Sequence, residues 1–158
     1  MVKKRFLWGL VLAAAVLVAA WMLWPRPLAG AFDAKRQFVA SVTVSGLEVE
    51  AMVSHPTMET TPYTAAAGSP EGAAVRAVLE RYSYHPCLDS LTVEDSLEDT
   101  GKLSILLYNN AEETLHVFSG TGKLFCNGRV VRVGYWGNRE AEKLCEELAA
   151  ALEGNNAG

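Results

Sequence analysis

The feature that most limits this 158-residue chain is a run of nineteen uncharged residues, Phe6 to Trp24, "FLWGLVLAAAVLVAAWMLW", preceded by Lys3, Lys4 and Arg5 and closed by Pro25. As a helix rising about 1.5 Å per residue it is roughly 28 Å long, enough to cross the hydrocarbon core of a bilayer. Trp8 lies near one end and Trp21 and Trp24 at the other, where amphipathic rings favour the membrane interface. A cleavable signal peptide starts the same way, but its apolar region is usually about 7 to 15 residues. Ala29-Gly30-Ala31 offers a small-x-small cleavage site, so a secreted protein is the alternative, while the length of the run favours an uncleaved anchor.

Arg26, Lys35 and Arg36 follow the run, but Lys3, Lys4 and Arg5 abut it directly, so the expected orientation is N-terminus inside and domain outside. The expected division is a basic cytoplasmic tail over 1–5, a transmembrane helix or signal anchor over 6–24 and a linker over 25–35. An extracytoplasmic α+β domain follows over 36–153, with a flexible tail over 154–158. The expected location is the cell membrane, single-pass. Residues 32–158 hold ten Lys and Arg against eighteen Asp and Glu, a net of −8. They are enough for one domain with a real core. An acidic domain without a basic stripe argues against nucleic acid and against docking on anionic lipid.

Within the domain, Phe38, Ala40, Val42 and Val44 alternate with Val39, Ser41 and Thr43, which reads as a strand. Gly46 is expected to end it, and Leu47 to Val53 to pair back as a second strand. Pro56 and Pro62 frame a Thr-rich stretch, "HPTMETTPYTAAAGSP", read as a loop. Ser69-Pro70-Glu71 is a helix start, with a capping Ser, a proline at the first position and an acid in the first turn. The helix runs to about Ser83, with an apolar stripe of Ala74, Val75, Val78, Leu79 and Tyr82.

The segment from Lys102 to Trp136 reads as a four-stranded antiparallel meander. Asn127-Gly128 is a two-residue type I′ turn that pairs Phe125 with Val130 and Lys123 with Arg132. A two-residue loop at Gly120-Thr121 pairs Val117 with Leu124, and a five-residue loop from Asn109 to Glu113 pairs Leu107 with Leu115. These registers put Leu103, Ile105, Leu107, Leu115, Val117, Leu124, Cys126, Val131 and Val133 on one face, a set that a one-residue slip would scatter. The other face carries Leu106, Tyr108, His116, Phe118, Lys123, Phe125, Val130, Arg132 and Trp136. Arg139 to Leu152 is a second amphipathic helix stopped by Gly154. The expected fold is a transmembrane helix followed by one two-layer α+β domain, an antiparallel meander sheet with two helices packed on one face.

His85, Cys87 and Asp89 alternate in "RYSYHPCLDS", but Pro86 forces His85 out of the helical region, and the spacing is not that of a usual zinc site. No metal site and no cofactor are expected. The three cysteines include no CxxC pair. Cys126 and Cys145 both fall on core faces, so a Cys126–Cys145 disulfide is a candidate, with Cys87–Cys126 the other pairing and buried free thiols the alternative. No GxSxG, HExxH, GxxxxGK[ST] or GxGxxG occurs. Glu94, Asp95, Glu98 and Asp99 read as a solvated loop.

The binding candidates are His116, Phe118, Lys123, Phe125 and Arg132 on the aromatic face of the meander, unless the N-terminal strands or the Thr-rich loop fold over it. The layout of a tethering helix, a helix ending "VLERYSY", a meander, a last strand "VVRVGYW" and a closing helix resembles small uncharacterised extracytoplasmic domains of membrane-anchored proteins and lipoproteins in Gram-positive bacteria. The resemblance covers roughly 36–152 and carries over no functional residue. A lipoprotein would need a cysteine straight after the apolar run, and the first here is Cys87. The expected function is a membrane-anchored binding or regulatory module that engages another envelope protein or a cell-wall component. The alternative is a thiol- or metal-dependent enzyme centred on His85 and Cys87.

Overall fold

Asn127 and Gly128 both adopt positive φ, 49° and 73°, as a type I′ turn requires, and this hairpin sets the register of the sheet around it. A computed structural model of the chain describes residues 2–28, 32–50, 52–88, 102–135 and 138–154. Its elements are α1 (Val2–Leu23), β1 (Phe38–Glu50), β2 (Val53–Ala65), α2 (Pro70–Glu80), β3 (Tyr84–Pro86), β4 (Leu103–Asn109), β5 (Thr114–Phe118), β6 (Lys123–Cys126), β7 (Arg129–Val133) and α3 (Arg139–Glu153). Ala29–Ala31, Asp89, the acids from Glu94 to Asp99, Trp136 and residues 155–158 lie outside the described residues.

The seven strands form one antiparallel sheet in the order β2-β1-β4-β5-β6-β7-β3. The meander occupies its centre in the registers expected from the turns: Leu107 opposite Leu115, Val117 opposite Leu124 and Phe125 opposite Val130. The connection between β5 and β6 takes four residues, Ser119 to Gly122, where two were expected, with Gly122 at φ 65°. The register survives because Lys123 still begins β6 on the same face. Ser69 caps α2 as its sequence predicts, its Oγ accepting from the Gly72 amide at 3.2 Å.

The N-terminal strands differ from their sequence reading. Gly46 does not end β1, which continues to Glu50, and Met52 lies in the turn before β2. Leu47 to Glu50 therefore belong to β1, and most of the stretch read as a loop, His55 to Ala65, lies in the thirteen-residue edge strand β2, with only Ala66 to Ser69 left as a loop before α2. The physical reason lies in which way each amide points. The Ser45 amide donates to the Lys102 carbonyl of the β4 side at 2.7 Å, so odd-numbered residues of β1 face β4 and even-numbered ones bond to β2. Pro62 opposes Ser41 and Pro56 opposes Leu47, which places both prolines where a β2 amide points outward. They remove no ladder bond and interrupt the free donor row of an edge strand, a common guard against pairing with other chains.

Ile105, Leu107, Leu115, Val117, Leu124, Val133, Phe38 and Ala40 cover one face of the sheet, each at most 1% exposed, and they pack against Val75, Val78 and Leu79 of α2 and Ala141, Leu144, Cys145, Leu148 and Leu152 of α3. Leu28, Phe32 and Ala34 from the segment read as a linker join the same core. A side chain on Gly72 would sit 2.4 Å from the Ala34 carbonyl oxygen, so a glycine there lets α2 close onto this segment. The Arg26 amide donates to the Tyr84 carbonyl at 2.8 Å, a single bridge along the outer side of β3. Both edges of the sheet are thus defined, one by prolines and the other by the chain leaving α1.

Candidate functional site

The outer face of the sheet, opposite the helices, is where the sequence places the binding candidates. Leu106 on β4, His116 on β5, Phe125 on β6 and Val130 on β7 form one row across four strands. Phe118 lies beside it, its ring 3.9 Å from that of His116 and 6.5 Å, edge-on, from that of Phe125. Lys123 opposes Arg132, and Arg132 in turn opposes His85 of β3. The five candidates therefore share a face and adjoin one another.

They differ in access. Phe118 is buried, His116, Lys123 and Phe125 are partly buried, and Arg132 is exposed. The accessible apolar surface lies one strand further along: Val39, Leu106 and Tyr108 are each more than 40% exposed. Val39 and Tyr108 are directly opposed across β1 and β4. The N-terminal strands do not fold over this face. They extend the sheet sideways, so β1 widens the face and adds Val39, Ser41 and Thr43 to it. Val39 was legible as a strand residue, but its place beside Tyr108 depends on a pairing between segments some seventy residues apart.

His85 lies on β3 and Cys87 directly follows that strand. Among the described residues no three His, Cys, Asp or Glu side chains converge on a metal-binding geometry, and Asp89 lies outside them. His85 is buried, its ring centroid 4.3 Å from that of Tyr135, with Nε2 3.4 Å from the Ser83 hydroxyl and no partner in the described protein for Nδ1. Strand β3 is what the stretch becomes: Tyr84 faces the core and donates its hydroxyl to the Leu79 carbonyl at 2.9 Å, and His85 faces the outer side.

No disulfide links the three buried cysteines in the structure, so neither candidate pairing, Cys126–Cys145 or Cys87–Cys126, is formed. Cys145 donates to the Leu103 carbonyl at 3.9 Å, at the end of the sheet where β4 begins. Cys126 opposes Leu115 and Arg129 at the other end. Cys87, two residues beyond the outward-facing His85, lies by a cavity of about 370 Å³ with Lys123 and Arg132. Sharing a core face does not bring two cysteines together when the strands between them run the length of the domain.

Burial, with help from the Glu113 carboxylate, pushes the Cys126 thiol up from 9.0 to about 11. Burial and the neighbouring Glu147 raise the Tyr82 hydroxyl from 10.0 to about 12. In both cases the folded state holds its proton more tightly than the unfolded chain. The associated stability is complete below about pH 9 and is lost as pH rises through 11 and 12. The melting temperature is expected to fall across this window, and Cys126→Ala to flatten the part between pH 9 and 11; thermal melts by circular dichroism at stepped pH measure both.

Fold and helix together define a class: an N-terminal helix, Phe6–Leu23, long and apolar enough to cross a membrane, joined to a seven-stranded α+β domain with one face covered by helices. Comparison with protein-family models, with curated proteins and with solved structures finds no match for the chain.

Proposed function

We propose that this chain is a membrane-anchored extracytoplasmic binding module whose outer sheet face receives an apolar or aromatic group of another envelope protein or a cell-wall component. The observation that carries the reading is the exposure of Val39, Leu106 and Tyr108 beside the partly buried His116 and Phe125. The opposite face of the same sheet has its apolar residues covered by two helices. A contiguous apolar patch on an otherwise acidic domain is a common mark of a recognition surface.

The anchored form draws support from the segment after α1. Cleavage after Ala31 would remove the Arg26 bridge to β3 and take Leu28 out of the core. The mass of the mature protein tests this directly: a chain retaining residues 1–31 fits the reading, and one beginning at Phe32 overturns it.

The surface itself is tested by placing a benzophenone amino acid at position 106 in cells and, separately, at Glu142 on the exposed side of α3. A discrete adduct is expected from position 106, lost when Val39→Ser and Tyr108→Ser are added, and none from position 142. Those serines are expected to cost no more than about 1 kcal/mol each, the span of strand propensity at exposed sites. Equal adducts from both positions, or none from 106, would remove the outer face as the site.

A further inference from the structure

Around the exit of α1 the fold forms a half-open cavity of about 600 Å³ lined by Trp21, Arg26, Leu28, His85, Arg129 and Val130 among others, within the size range of small-ligand sites. Its charged side chains are of one sign. Arg26 and Arg129 both line it, no Asp or Glu does, and among the described residues neither guanidinium has a carboxylate partner. Arg26 lies over the Trp21 ring, 5.6 Å from its centroid, a cation–π contact that holds the guanidinium beside the helix. His85 is 3% exposed in the wall of this cavity, and its Nδ1 has no partner among the described residues. A buried imidazole nitrogen in that state calls for a ligand oxygen or a water.

The position of the cavity says which ligand. Trp21 belongs to the last turn of the apolar helix, where an indole marks the level of the headgroups. A site there with two guanidinium forks, one imidazole and apolar walls from Leu28 and Val130 matches an anionic phosphodiester carrying a hydrocarbon tail. Guanidinium groups bind phosphate through paired charge-assisted hydrogen bonds. We infer that the cavity takes the headgroup of an anionic phospholipid from the leaflet into which the C-terminal end of α1 opens. This rests on α1 spanning the bilayer. The net charge of −8 over residues 32–158 does not decide against it, because charges beyond a Debye length of about 8 Å are screened at physiological salt.

The test uses the full chain in nanodiscs of phosphatidylcholine with a minority of phosphatidylglycerol, with retained lipid adducts counted by native mass spectrometry. Phosphatidylglycerol is expected to be enriched about tenfold over its share of the bilayer. Arg26→Gln with Arg129→Gln is expected to abolish that enrichment, each losing roughly threefold of affinity, whereas Arg36→Gln, which pairs with Asp33 elsewhere, leaves it unchanged. Retained enrichment in the double variant would overturn the proposal, as would equal retention of both lipids. Displacement by millimolar inorganic phosphate would assign the site to free phosphate instead. The membrane reading has its own readout: if alkaline carbonate extracts the chain from cell membranes, the span fails and the lipid site fails with it. An inserted chain without lipid preference sinks the site alone.

Discussion

A fragment beginning at Pro25 is expected to fold and to unfold cooperatively, whereas one beginning at Arg36 is expected not to reach a native state. The difference is eleven residues, among which Leu28, Phe32 and Ala34 are 6%, 4% and 2% exposed within the main core. Phe32 packs edge-on against Phe38 at 5.9 Å between ring centroids. Truncating a buried Leu or Phe to Ala costs about 2 to 5 kcal/mol each, and here both are lost entirely. A domain of this size has about 5 to 15 kcal/mol of total stability, so the shorter fragment loses most or all of it. Urea unfolding followed by far-ultraviolet circular dichroism compares the two. Equal midpoints would show that the segment after α1 is a tether and not part of the core. The outcome bears on function, because a domain whose core reaches to within five residues of α1 is held close to that helix and, in the proposed anchored form, to the membrane.

Asn109→Asp is expected to destabilise the domain by about 2 to 4 kcal/mol at neutral pH, more than most polar substitutions do. Asn109 is 1% exposed. Its Oδ1 accepts from the amides of Ala111 and Glu113 at 3.0 and 3.1 Å. Its Nδ2 donates to Glu113 Oε2 at 2.6 Å and to the Asp33 carbonyl at 3.4 Å. Glu113 Oε2 accepts in turn from the Asp33 amide at 2.9 Å. One side chain therefore joins the β4–β5 turn to the segment after α1.

An aspartate at 109 would replace the Nδ2 donor with a second carboxylate oxygen against Glu113, and two carboxylates at that distance in a buried site cannot both stay ionised at low cost. One of them is held protonated in the fold and ionised in the unfolded chain, so the penalty is largest at neutral pH. It shrinks as pH falls through the ordinary carboxylate range. Unfolding midpoints of wild type and variant at pH 7 and pH 4 measure this, and a penalty that did not shrink on acidification would locate the cost elsewhere.

The legible parts of this protein were those fixed by short-range rules. The apolar run needed only its length, the N-cap of α2 only three consecutive residues, and the meander only its turns checked against strict alternation, which is why its registers agree with the structure. The illegible parts depended on contacts across the chain. Strand β2 carries two prolines that disqualify a central strand but are harmless on an edge, and nothing local tells which kind of strand it is. Leu28 and Phe32 sit among Pro, Gly and Ala residues without periodicity, so their burial was invisible until α2 and the sheet were in place.

The same division holds for the candidate sites. Sequence alone determined that His116, Phe118, Lys123, Phe125 and Arg132 share a face, because alternation in a paired strand leaves no other choice. Only the tertiary structure decided that Phe118 is buried while Val39, Leu106 and Tyr108 are open, and that Arg26 and Arg129, about a hundred residues apart, line one cavity with Trp21. Which face a side chain takes follows from its neighbours along the chain; which side chains from distant segments meet follows from how the sheet closes its core.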